Sequence, residues 1–117
     1  MSNVTKSNTF KAPEGFSDSV LKEQGRILGA WIAANPTATI KPIKGVVAEG
    51  ALPAYIRRAT GKRADINAMM VKGMPVAKFL PLAAALGGGY PDIIAGLNGG
   101  YSRSSTQWGR PAFTITA

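Results

Sequence analysis

Apolar positions recur at helical spacing from Val20 to Ile32. Val20, Leu21, Ile27, Leu28, Trp31 and Ile32 share one face. This predicts a helix over roughly residues 17–34, with Ser17 as N-cap and Asp18 facing the positive end of the helix dipole. Phe16 and Leu21 stand at the two positions of a hydrophobic staple. Pro36 closes the helix, because the residue before a proline avoids the helical region. Trp31 is read as core rather than as a stacking platform.

Residues 1–15 are polar, with Pro13 and Gly15 near their end, and read as an extended arm. The stretch "PTATIKPIKGVVAEGA" (36–51) is open to two readings. "TATIKPI" alternates like a short strand, which Pro42 would confine to a sheet edge. "KGVVAEGA" fits one or two helical turns.

From residue 52 onward Pro and Gly punctuate the chain regularly. Pro53 suits N1 of a helix that Gly61 closes. Asp65, or the position before it, opens the next helix, which ends at Gly73. Pro75 or Pro81 starts a third, ended by Gly87 to Gly89. A start at Pro81 avoids a cost on the order of 3 kcal/mol for proline inside a helix. Pro91 starts a last short helix, "PDIIAGLNGG". The expected fold is mainly α: a compact bundle of about five short helices containing a helix-turn-helix-like pair. The expected organisation is an arm (1–15), a helical domain (16–98) and a Gly/Ser-rich C-terminal tail or arm (99–117). The β-like "AFTITA" gives that tail a strand as one possible ending.

Composition narrows the function. The chain has 117 residues, 45% of them apolar, which suits one packed core. Only 17% are charged, so the surface is largely small and polar, or partly covered by a partner. Fourteen Lys and Arg against six Asp and Glu give a net charge of +8, which draws the protein to polyanions. Cys and His are absent, which removes disulfides, the usual zinc sites and Cys or His nucleophiles. The acids Glu14, Asp18, Glu23, Glu49, Asp65 and Asp92 form no close pair with acid/base or ligand spacing. The expectation is therefore no enzyme, no metal and no cofactor. "MSNVTKSNTF" has no apolar signal-peptide core. The longest apolar segment (76–97) carries Lys78, Asp92, two prolines and three consecutive glycines, and makes a poor membrane span. The expected location is the cytoplasm or the inside of a virus particle.

The basic residues cluster. Arg57, Arg58, Lys62, Arg63, Lys72 and Lys78 face a single acid, Asp65, a local charge of +5 (six minus one). "PAYIRRAT", "GKR" and "ADINAMMVKG" lay out as helix, Gly-containing turn and helix. In a reader of that design Arg63 and Asn67 contact base edges. Arg57, Arg58, Lys62, Lys72 and Lys78 contact phosphates. Ile56, Ile66, Met69 or Met70, and Leu82 hold the helices together. "TGKR" is not a phosphate loop, because Ile56 and Arg63 occupy the places that need Gly and Ser or Thr. Tyr90, Tyr101 and Trp108 are read as anchoring the tail rather than stacking on bases.

Residues 52–87 resemble the lambda repressor/Cro-like helix-turn-helix family. Gly61, Ile66, Gly73 and "LAAALG" (82–87) fall near the family's turn glycine, its apolar recognition-helix position, its following glycine and its leucine–alanine–x–x–leucine–glycine pattern. The resemblance implies a phage- or plasmid-type DNA-binding regulator, with DNA favoured over RNA and a homo-oligomer or larger assembly. The alternative is a structural or minor virion protein of a bacteriophage, ordered by its neighbours and facing packaged genome. A third reading is a small phage inhibitor of a host nucleic-acid enzyme.

Overall fold

The alternation in "TATIKP" does fold as a strand, and it changes the fold class. The computed structural model describes residues 9–13 and 15–117. In it, β1 (Thr39–Pro42) is the middle strand of an antiparallel sheet, flanked by β2 (Met74–Pro75) and β3 (Phe113–Thr116). Four helices pack with this sheet: α1 (Leu21–Ala34), α2 (Lys62–Lys72), α3 (Val76–Ala85) and α4 (Tyr90–Asn98). The architecture is α+β, which corrects the expectation of a mainly α bundle of five helices.

Pro42 does not force β1 to an edge. It is the last residue of the strand, opposite Phe113 of β3, while β2 reaches only as far as Thr39 and Ile40. The N–H that proline lacks would lie beyond β2, so no ladder bond is lost. Met74, Ile40 and Ile115 form one row across the sheet. The outer edge of β3 is covered in turn: Phe10 donates its N–H to the Ile115 carbonyl at 2.8 Å, and Thr9 bridges to Thr116. Thr9 to Pro13 is the described part of the expected N-terminal arm; residues 1–8 and 14 lie outside the described residues.

The helix expected between Pro53 and Gly61 is absent. Pro53 and Ile56 close a single turn, and Arg57 to Thr60 follow without regular structure, all exposed. A helix this short needs an apolar face buried by its neighbours, and these four exposed residues supply none. The helix-turn-helix-like pair is therefore not formed; only its second member, α2, exists.

α1 also begins later than expected. Phe16–Asp18 is a separate turn of 3₁₀ helix, and the chain is extended at Ser19 and Val20 before α1 starts. Ser17 does not cap the helix, and Leu21 is 57% exposed, so no staple forms. Phe16 instead turns into the core and meets Phe10 edge-on, with centroids 6.0 Å apart. Its carbonyl accepts a hydrogen bond from the buried Gln24 side chain. Leu28 and Ile32 are buried as the periodicity predicted, and Trp31 packs edge-on against Phe10 at 5.4 Å.

α3 starts after Pro75 and carries Pro81 in its interior. Pro81 cannot donate to the Ala77 carbonyl four residues back, but both residues are exposed, and water can take that carbonyl. α4 begins with Pro91 in its first turn and ends at Gly99, where the chain turns left-handed. Among the described residues no single helix is long and apolar enough to cross a membrane. α3 and α4 together have the length and composition, but they bend by 113° at the break between them.

Leu28, Ile40, Phe79, Ile93, Phe113 and Ile115 are fully buried together, so the C-terminal stretch shares the core of the helices. Two contacts fix α4 in it. Gln24 and Asn98 pair amide to amide at 3.2 and 3.3 Å, satisfying both buried groups. Gly96 lies directly under Phe113, where an added Cβ would come within 2.4 Å of the ring. Gly96→Ala is thus expected to cost about 1–3 kcal/mol by overpacking. Urea denaturation would show this as a lower midpoint, and an unchanged midpoint would contradict it.

Candidate nucleic-acid interface

α2 opens at Gly61, whose φ of 118° is a conformation that side chains rarely adopt. Lys62 and Arg63 therefore occupy the first turn of the helix, with no side-chain cap ahead of them. The irregular segment 54–60 rises beside this turn. The segment 101–106, which follows α4, rises opposite it. Between them is an open groove of about 580 Å³.

The lining of the groove is chemically one-sided. Arg57, Arg58, Lys62 and Arg63 all face it, and among the described residues no carboxylate does. Hydroxyls from Thr60, Ser102, Ser104, Ser105 and Thr106 complete the walls. The two ion pairs among the described residues, Arg26–Glu23 and Arg103–Asp18, lie elsewhere and leave these four cations unneutralised. At the α2 N-terminus, Lys62 and Arg63 also meet the positive end of the helix dipole, the less favourable end for a cation.

A buried polar chain supports the floor. Asp92, in the first turn of α4, accepts the Gly89 N–H at 2.8 Å and the Tyr101 hydroxyl at 2.5 Å. Asn67 donates to the Tyr101 oxygen at 2.9 Å and to the Arg63 carbonyl at 2.8 Å. Its own carbonyl accepts the Tyr55 hydroxyl at 2.7 Å. The Tyr55 and Tyr101 rings meet edge-on with centroids 5.9 Å apart. The guanidinium carbon of Arg63 lies over the Tyr101 ring, 4.0 Å from its centroid. Burial pushes the Tyr101 phenol above the ordinary tyrosine range, and its hydrogen bond to the Asp92 carboxylate adds to the shift. Burial also raises Tyr55, helped by the negative groups beside it.

The structure sorts the seven residues expected to bind nucleic acid. Arg57, Arg58, Lys62 and Arg63 come together in the groove. Lys72 and Lys78 are exposed but away from it, Lys72 about 15 Å farther along α2. Asn67 is fully buried, and its amide is spent on Tyr55, Tyr101 and Arg63, so it cannot reach a base edge. Of the residues expected to hold the helix pair together, Ile66 and Met70 are buried, while Leu82 is 43% exposed. Sequence reasoning missed Tyr55, Asp92 and the hydroxyl wall. Its one signal was the aromatic Tyr101 in "GGYSRSS", and that residue is anchored through its hydroxyl.

Comparison with protein-family models, with curated proteins and with solved structures finds no match to this chain.

The phenols generate a pH prediction. Tyrosines in the unfolded chain ionise near pH ~10. Tyr55 and Tyr101 hold their protons to higher pH in the folded protein. Above that pH the unfolded state binds fewer protons, so stability falls as pH rises. Denaturation midpoints should drop as pH rises above about 10, and less so in the Tyr55→Phe/Tyr101→Phe variant. Equal drops in both proteins would contradict the assignment.

Proposed function

We propose that this protein binds nucleic acid through the basic groove, with phosphate contacts supplying most of the affinity. The observation that carries this reading is the convergence of Arg57, Arg58, Lys62 and Arg63 on one concave surface lined by hydroxyls and free of carboxylates. Four like charges held together repel one another, and an incoming polyanion relieves that repulsion. Arginine forks and hydroxyls are the usual phosphate partners. Major-groove reading by an inserted helix is not part of the proposal. α2 buries Ala64, Ile66, Asn67 and Met70, and its exposed residues lie mainly in its first turn.

Salt dependence tests this. Engagement of three or four phosphates predicts a log–log slope of affinity against salt of about −2.1 to −2.8 on a single strand or about −2.7 to −3.6 on a duplex. Fluorescence anisotropy with a labelled oligonucleotide over a salt series measures it. Arg57→Ala/Arg58→Ala should make the slope shallower by about 1.4 to 1.8, whereas Lys72→Ala/Lys78→Ala should leave it near the wild-type value. Absence of binding at low salt, or equal effects of the two pairs, would sink the proposal.

A further inference from the structure

The Tyr101 ring could serve as a stacking platform, but one face is already covered by Arg63. The stacking surface is thereby moved outward, from the phenol to the guanidinium. Arg63 is exposed and lines the groove, so its guanidinium can be approached from the groove side. Guanidinium planes stack on nucleobases as aromatic rings do.

This shelf is held from below. The Tyr101 hydroxyl is tied to Asp92 and to Asn67, which stops the ring from swinging. Asn67 also holds the Arg63 carbonyl, so the backbone carrying the guanidinium is fixed by the same residue. The ring beneath gives the Arg63 guanidinium a favoured place, which lowers the freedom to be lost when a flat ligand lands on it.

Resting on the reading of the groove as a nucleic-acid site, we propose that its ligand is single-stranded: one unpaired base stacks on Arg63 while Arg57, Arg58 and Lys62 take the neighbouring phosphates. In a duplex both faces of each internal base are already stacked, so only an unpaired base can offer a face to Arg63. Size points the same way. About 580 Å³ is the scale of a small-molecule pocket, room for a base with its flanking phosphates.

The test uses the full chain and four labelled ligands at one low salt concentration. They are a thymidine DNA strand, a uridine RNA strand, an abasic DNA strand of equal phosphate count, and a hairpin duplex. At least one of the base-bearing strands should bind about tenfold tighter than the abasic strand, and tighter than the hairpin. The DNA and RNA arms decide the sugar. Arg63→Lys keeps the charge but loses the planar face, so it should weaken the base-bearing strands by clearly more than it weakens the abasic strand and narrow the difference between them. Lys72→Ala, outside the groove, should preserve the difference between base-bearing and abasic strands. Thermal melts of both variants would report that the fold is intact. If the abasic strand or the hairpin binds as tightly as the base-bearing strands, the single-strand inference fails and the groove reading survives. If no ligand binds, both fail together.

Discussion

Phe113 sits over the bare Cα of Gly96, at a distance that leaves no room for a methyl group. The second wall of the groove depends on this contact. Residues 99–112 leave α4 and return to β3 as one long excursion. Phe113 and the bond from the Ala112 N–H to the Gly96 carbonyl, 2.8 Å, close its return end. The bond from the Gly109 N–H to the Asn98 carbonyl draws it together partway. With both ends tied to α4, Tyr101 and the hydroxyl segment after it are held beside the first turn of α2. A side chain at position 96 would separate β3 from α4 and loosen that placement, although position 96 itself is not in the groove.

The electrostatics of the site have an inside and an outside. Asp92 is 4% exposed and receives one backbone N–H and one phenol. It also lies at the N-terminal end of α4, where the helix dipole favours an anion. The four cations are outside, separated from it by the tyrosines. The acid therefore orders the floor without neutralising the groove. This division explains why the local positive charge seen in the sequence survives folding instead of being absorbed into ion pairs.

The sequence foreshadowed some of these elements and hid others for definite reasons. The body of α1 and the Pro91-initiated α4 were legible, because periodicity and a proline at the helix start report local preferences. The charge cluster was legible too, and four of its cations do converge. The Pro53–Gly61 segment misled because its punctuation matched a helix while its exposed arginines gave no face to bury. β1 was ambiguous because its central place comes from β3, more than seventy residues later. Gln24 and Asn67 were hidden because each is a polar residue at a buried position, made tolerable only by partners from elsewhere in the chain. Asn67 drew attention as a base reader, and what it holds instead is the scaffold under Arg63.

The pairing of Thr39–Pro42 with Phe113–Thr116 has a consequence during synthesis. The central strand is made more than seventy residues before its main partner, so the whole intervening stretch must exist before the ladder can close. Until then the face of β1 carrying Ile40, and the underside of α4 at Gly96, have no Phe113 or Ile115 to cover them. Contacts so distant along the chain form slowly, since a large loop must close before they can contribute. The nascent protein therefore carries open apolar surface until Phe113–Thr116 have been made. A chain terminated shortly before residue 113 would keep every helix and all four of the groove's cations, yet would lack the strand that seals the interior beneath them.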